Sequence, residues 1–238
     1  MKENNLEWTY GAWQWISRLP WIEIIIGLIS GLTAAIIFEI LINHFRKPNL
    51  TFDIDPGNGL GENNQFNDGQ LRKWKFLNVS VHNRHRRLFL RWLDVSADNA
   101  TAKLSFRHWD TDVEVVKIDN ARWNTTKQPI EGERLDINTM LIRSRESIPI
   151  EESAGIAIAV KTDQNDNIFG FNNQSYLCHP DNPIPYNILW SHPDFEVGNE
   201  RKYKLVVKVL ADGHLYSKVF TLENPRRNYN SVRVVDLE

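Results

Sequence analysis

The stretch WIEIIIGLISGLTAAIIFEILI, Trp21 to Ile42, constrains this chain more than any other part of it. Between Glu23 and Glu39 the run Ile24 to Phe38 carries no charge. As a helix the stretch would rise about 33 Å, against a hydrocarbon core of about 30 Å. A helix buried in a soluble domain should keep a polar face, and this run has none. A secretion signal needs a short basic start and a small-x-small cleavage site; here a mixed segment with Glu3 and Glu7 precedes the run and EILINHF ends it. Pro20 suits the first helical turn, Trp21 the aromatic belt, and the glutamates near the ends can reach toward headgroups. Arg46, Lys47 and Pro48 close the far end. The chain therefore reads as a single-pass protein of a cell membrane: a spanning helix at 21–42, a basic linker at 43–48 and a domain at 49–238. Ahead of them, 1–20 reads as an interfacial aromatic segment, with Trp8, Ala12, Trp15 and Leu19 at helical spacing.

Within the span, Gly27, Gly31 and Ala35 form a small-xxx-small row that lets backbones approach closely. It points to a homo-oligomer or an integral membrane partner. For orientation, Lys2 and Arg18 before the span balance Arg46 and Lys47 after it. The run LRKWKFLNVSVHNRHRRLFLRW, Leu71 to Trp92, has many Lys and Arg and no acid. Translocating it is disfavoured, so the C-terminal domain is expected in the cytoplasm. Asn-x-Ser/Thr triplets at Asn78, Asn99, Asn124 and Asn173 would matter only on the other side.

After the linker, short β-branched and aromatic runs alternate with turn residues, as in an all-β sandwich or barrel. TAKLSFRH puts Ala102, Leu104 and Phe106 on one face. AGIAIAVKTD puts Ile156, Ile158 and Val160 on one face and alanines on the other. YKLVVKVLADGHLYSKVFTL reads as a hairpin turning at Ala211-Asp212-Gly213, with Tyr203, Leu205, Val207 and Val209 alternating. No helical period follows residue 48. Two long loops, 53–70 and 172–198, interrupt the strands, and the second is proline-rich. With one cysteine, Cys178, no intramolecular disulfide is available, so the core must hold the domain.

The segments ADNATAKLSF, ARWNTTKQPI, IPIEESAGIAIAVKTDQND and IFGFNNQSY, with the closing hairpin and FTLENP, resemble a family of prokaryotic proteins. Its members, mainly archaeal and bacterial, often carry an N-terminal membrane helix before an immunoglobulin-like sandwich. The similarity covers nearly all of 49–238, and its most specific parts are Ala121-Arg122-Trp123 and Gly170-Phe171-Asn172-Asn173. The resemblance implies an immunoglobulin-like β-sandwich behind one transmembrane helix. The family has no assigned activity, so no catalytic residue is carried over.

Motifs for chemistry are sparse. PGNGLGENN spaces Gly57, Gly59 and Gly61 too tightly for a dinucleotide fingerprint. DQNDNIFGF starts like a calcium loop at Asp163, Asn165 and Asn167, but Ile168 and Gln174 occupy the positions that need glycine and glutamate. It reads as a hairpin turn. His82 and His85 would point to opposite faces of a strand, a poor zinc site. Neither a metal nor a cofactor is expected. NRHRR sets Arg84, Arg86 and Arg87 on a turn that could meet an anionic lipid surface; a net charge of −2 and no binding motif argue against nucleic acid as a partner. Arg122-Trp123 reads as Trp123 in the core with Arg122 paired to an acid such as Asp119, or as an exposed stacking patch. Asn172 and Asn173 read as turn formers or as ligand contacts.

The function expected is a membrane-tethered, non-catalytic binding or scaffolding module. The binding candidates are Arg84, Arg86, Arg87, Arg122, Trp123, Asn172 and Asn173. The alternatives are a membrane-anchored hydrolase using Cys178, His179, Asp181, His192 and Asp194, or an accessory subunit of a membrane complex.

Overall fold

The computed structural model describes residues 21–55, 60–63, 72–86, 88–131, 134–163, 165–176, 190, 192–225 and 228–237. The expected interfacial segment 1–20 lies outside the described residues. The chain divides into two compact units, Met1–Arg46 and Lys47–Glu238.

In the first unit, helix α1 spans Trp21–Phe45. Its portion Glu23–Ile42 has a mean hydropathy of 2.4 and none of it is buried, so it is long and apolar enough to cross a membrane. Apolar side chains are exposed all round it, including Ile26, Leu28, Leu32 and Phe38. Its hydroxyls turn inward: Ser30 Oγ donates to Gly27 O at 3.0 Å and Thr33 Oγ1 to Ile29 O at 2.7 Å. Each hydroxyl hydrogen is thus satisfied without water. The helix runs slightly past the expected end at Ile42. Pro48, which lacks an N–H, lies just beyond.

The second unit is mostly strand. Its first half contains β1 (Leu50–Ile54), β2 (Leu60–Asn63), β3 (Arg72–Asn83), β4 (Ala97–His108), β5 (Glu114–Trp123), β6 (Ile130–Glu131) and β7 (Arg134–Leu135). Its second half contains β8 (Glu146–Ile148), β9 (Ser153–Thr162), β10 (Ile168–Gly170), β11 (Glu196–Gly198), β12 (Lys202–Ala211), β13 (His214–Glu223) and β14 (Arg233–Asp236). Twelve of these form one sheet of order β1-β3-β9-β5-β4-β12-β13-β14, with β2, β8, β10 and β11 off that path. Every pairing is antiparallel. The Gly/Asn-rich stretch read as a loop contains β2, which pairs with β3. The region read as free of helix contains the short α2 (Ile137–Leu141), created by a cap rather than by periodicity. Asp136 accepts from Asn138 N and Thr139 N, and the Thr139 hydroxyl bond holds its carboxyl below the usual range.

The sheet is barrel-like. β5 pairs with β4 along most of its length, then with β9 at Arg122 and Trp123, which turns the sheet through a corner. The two ends of the sheet meet through side chains. Lys75 Nζ of β3 donates to Asn230 O and Val232 O, both at 2.8 Å. Lys218 Nζ of β13 donates to Phe52 O at 3.0 Å, and Tyr216 Oη to Pro48 O at 2.6 Å.

The alternations in β4 and β12 hold: Ala102, Leu104, Phe106, Tyr203, Leu205, Val207 and Val209 are all buried. The β12–β13 hairpin pairs Ala211 with His214 across Asp212-Gly213, whose φ values of 48° and 76° suit a tight primed turn. The β9 alternation does not hold. Leu77 pairs with Ala159 and Asn78 with Ala157, so β9 carries one extra residue, Ile158. This bulge flips the strand. Ile156 and Ile158 face the main core, whereas Val160 packs with Ala157 on the outer side. Trp123 is fully buried in that core, and its Nε1 donates to Ala100 O at 3.1 Å. Burying such a side chain contributes about 4–6 kcal/mol.

Candidate binding site

A second bulge builds the site. Ala102 pairs with Ala121 and Leu104 with Ile118, so β5 has one residue more than β4 between those pairs. Strict alternation from Val116 and Ile118 would turn Arg122 inward; the extra residue turns Trp123 inward instead. Arg122 then faces outward, opposite Ala157 of β9. Outward on this sheet is not exposed, because a second apolar cluster covers the face. It consists of Ala157, Val160, Phe169, Phe171 and Tyr176, with Trp74, Phe76 and Trp190 half-buried against it.

Aromatic edges and faces interlock there. The Trp190 ring lies 5.0 Å from Tyr176, 5.3 Å from Phe76 and 5.5 Å from Phe171. These separations are in the favourable range for aromatic pairs. Beside them is a cavity of about 420 Å³. It is lined by the rings of Trp74, Phe76 and Trp190 and by the polar side chains of Asn78, Asn124 and Gln128. Arg122 and Tyr176 line it as well.

Arg122 is the unusual member, with only 4% of its surface exposed. The expected pair with Asp119 does not form: that carboxylate instead meets Lys103 at 3.0 Å and Lys117 at 3.1 Å. Those hydrogen bonds, Lys103 first, hold the Asp119 carboxyl below the usual range. Arg122 Nη1 donates to Asn173 Oδ1 at 2.5 Å and to Lys127 O at 3.2 Å, while Nη2 donates to Thr126 O. Its guanidinium carbon lies 5.3 Å from the Tyr176 ring centre. Among the described residues, no carboxylate pairs with it. Burial pushes its pKa down from the ordinary value, partly offset by Tyr176; burial also pushes the Tyr176 phenol up, partly offset by Arg122. Arginine stays charged regardless. A buried cation, met by neutral groups among the described residues, therefore borders an aromatic cavity.

Asn172 and Asn173 flank this arrangement differently. Asn172 Oδ1 accepts from Gln174 N at 2.8 Å and Ser175 N at 3.1 Å, so it forms a turn. Asn173 Oδ1 orients Arg122, and its buried Nδ2 has no partner among the described residues. Trp123, on the opposite face of β5, is away from the cavity and in the core.

The basic turn is drawn into ion pairs. Arg84 Nη2 meets Asp53 Oδ2 at 2.6 Å, and Arg86 lies 3.9 Å from Asp94 while Nη2 donates to Lys47 O at 2.5 Å. Arg87 lies outside the described residues. His85 bridges Asp94 at 2.7 Å and Glu151 at 3.1 Å, whereas His82 faces Asp53 at 3.5 Å, so the two histidines have separate partners. Among the described residues no group of three or more His, Cys, Asp or Glu is arranged to hold a metal ion. Cys178, His179 and Asp181 lie outside the described residues. His192 caps a short turn by accepting from Asp194 N at 3.2 Å, with its ring 5.2 Å from Phe195. Asp163 and Asn165–Asn167 lie between β9 and β10, which pair antiparallel with Ile168 opposite Lys161; Gln164 lies outside the described residues. A further cavity, of about 380 Å³, lies against the outer faces of β4 and β12. Its cations are mostly matched: Lys103 and Lys117 by Asp119, and Arg107 by Asp112 at 3.1 Å. Gly27 and Gly31 in α1 have nothing within 4 Å of where a Cβ would stand.

Sequence reasoning passed over Trp74, Phe76, Tyr176 and Trp190. Two of them had a signal: in RKWKF the aromatics occupy the positions that alternate with Lys73 and Lys75. Lys75 shares the inner face with Leu77, so Trp74 and Phe76 must cover something on the outer face. Trp190 sits in an aperiodic, proline-rich stretch and had none. The chain matches no protein-family model, no curated protein and no solved structure.

Proposed function

We propose that this chain is a membrane-tethered, non-catalytic binding module whose ligand site is the cavity beside Arg122. The observation that carries the reading is a buried arginine that has no carboxylate partner among the described residues, next to an aromatic wall. Desolvating a cation is costly unless an anion answers it. An aromatic wall favours a flat apolar group, and the few polar side chains around it fix orientation. The ligand class that satisfies both is a small carboxylate carrying a planar apolar group, either free or as part of a larger partner.

Titration of the full chain in detergent micelles tests this, with phenylacetate as the probe, phenylacetamide as its neutral counterpart, and tryptophan emission as the readout. Phenylacetate alone perturbs the emission, and Trp190→Phe removes most of the response. Gln128→Glu changes an exposed residue of the wall and sets a competing carboxylate there, so it weakens phenylacetate without disturbing the core. Equal responses to both probes, or an unchanged affinity in Gln128→Glu, would refute the reading.

The tethering half of the proposal rests on α1. The acid-free basic run supports a cytoplasmic domain. Replacing Cys178 with serine and Glu238 with cysteine tests that: an impermeant maleimide should label the protein only after lysis. An immunoglobulin-like relationship belongs to the same proposal, supported by the all-antiparallel pairing and the buried tryptophan of β5. Self-association through Gly27, Gly31 and Ala35 would add multivalency to a weak site; an unchanged oligomeric state in Gly31→Leu would remove it.

A further inference from the structure

The residues following α1 are pinned to the domain at once. Lys47 O accepts from Arg86 Nη2 at 2.5 Å, and Pro48 O from Tyr216 Oη at 2.6 Å. Asn49 N donates to Asn83 Oδ1 at 3.1 Å, and Arg84 N to Asn49 O at 3.0 Å. Asn83, only 1% exposed, also donates to Val95 O at 2.9 Å and Ile148 O at 3.0 Å, which fixes this end of the domain as a unit. The end of α1, Phe45, is separated from Lys47 by Arg46 alone, so chain length keeps the two Cα atoms within about 7 Å.

Between Arg86 and Asp94 the chain makes a short excursion closed at its base, where Asp94 accepts from Arg86 N at 3.2 Å. The excursion contains a 3-10 turn, Leu88–Leu93, of sequence LFLRWL. Trp92 is 62% exposed. By chain length its Cα lies within about 7 Å of that of Asp94. Arg91 beside it is exposed, and among the described residues no carboxylate pairs with it. A second large apolar side chain, Leu215, is 65% exposed and adjacent in sequence to Tyr216, which holds Pro48. Acids are present here too: Asp53 and Asp94 pair with Arg84 and Arg86, Glu151 faces His85, and Asp212 accepts from Asp98 N.

From this juxtaposition we infer that the turn Leu88–Leu93 is a bilayer contact, with Trp92 seated at the interface and Arg91 on anionic headgroups. It rests on α1 spanning the membrane but not on the ligand cavity. The end of the domain that follows α1 in the chain is the end that exposes a tryptophan and an arginine with no carboxylate partner among the described residues. Tryptophan favours the headgroup level, and a basic residue close to an anionic surface is attracted to it. Aqueous exposure of Trp92 would leave this apolar surface without a covering partner.

The test uses the full chain with Cys178→Ser, spin-labelled at either Trp92→Cys or Asp110→Cys. Asp110 is exposed and follows β4 at the far end from Ala97, about 36 Å along the strand. Each protein is reconstituted in vesicles of phosphatidylcholine, with or without a third of phosphatidylglycerol. The expected result is a reversal of collision order: at 92, oxygen relaxes the label more than a water-soluble nickel chelate does, and at 110 the chelate wins. The reversal at 92 weakens when phosphatidylglycerol is left out or when Arg91→Gln is added. Chelate dominance at 92, or dipolar broadening showing that a second copy covers it, would overturn the assignment. A scrambled α1 insertion would instead show in the maleimide labelling at residue 238, which separates failure of tethering from failure of contact.

Discussion

The Arg122–Asn173 pair makes a prediction whose size can be worked from the structure. In Arg122→Met the side chain keeps its unbranched stem, ends short of the guanidinium, and loses its donors. Three acceptors are then released: Thr126 O, Lys127 O and Asn173 Oδ1. Lys127 is exposed and Thr126 half-buried, so those carbonyls can recover water. Asn173 is only 3% exposed, and its Nδ2 already lacks a partner. Its whole amide would be stranded, at about 1–3 kcal/mol, partly offset because an apolar residue no longer holds a charge out of water. In Asn173→Leu the stranded group is a charged N–H, and the cost is at the upper end of that range. In the double variant neither group is left unpaired, so its cost falls short of the sum by about 1–2 kcal/mol. Urea unfolding of the full chain at fixed detergent, followed by near-ultraviolet circular dichroism, measures all four corners. Costs that add to within about 0.5 kcal/mol would mean that Arg122 and Asn173 do not depend on one another, and the electrostatic account of the cavity would fail with them.

Two further outcomes follow from other parts of the molecule. Lys161 is fully buried, donating to Asn224 Oδ1 at 2.6 Å and Asp166 O at 3.1 Å, and burial holds its pKa below 10.5 with Asp166 as a partial offset. Because the folded pKa is the lower one, the unfolded chain binds more protons between the two values, and wild-type stability gains as pH rises through that window. Compared with wild type, Lys161→Met is therefore relatively most stable at neutral pH and loses that advantage toward pH 10.5; parallel stability–pH curves would contradict this. Gly198 has φ 107°, and a Cβ there would stand 2.8 Å from the Tyr203 hydroxyl, which accepts from Glu200 N. Gly198→Ala should cost about 1–3 kcal/mol in urea unfolding, while Gly213→Asn, in open space and with a side chain that tolerates φ 76° better than most, should cost less, about 1 kcal/mol.

The parts legible in the sequence are those where one period governs a whole element. The run from Ile24 to Phe38 has no polar face, and β12 and the Ala100–Phe106 part of β4 alternate, so helix and strands follow directly. The site was less legible because bulges create it. An extra residue in β5 decides whether Arg122 or Trp123 faces the core, and Ile158 in β9 turns Val160 outward; neither leaves a compositional mark. Arg122 was singled out, but its partner was misjudged. Asp119, three residues away, is taken by Lys103 from the neighbouring strand, a pairing that only strand register can supply. The same holds for Asn173, which meets Arg122 across 51 residues of chain.

The closure of the barrel has a consequence of its own. Between its two ends, among the described residues, the sheet is held by the tips of Lys75, Lys218 and Tyr216, not by a run of amide-to-carbonyl bonds. Bonds of that kind can be released singly, whereas a ladder yields only as a block. Amide protons along β14 and β1 should accordingly exchange with solvent through local breathing, well ahead of those in β9 and β12. The domain resembles a bracelet fastened by a clasp: its girth can change without any strand leaving its neighbour.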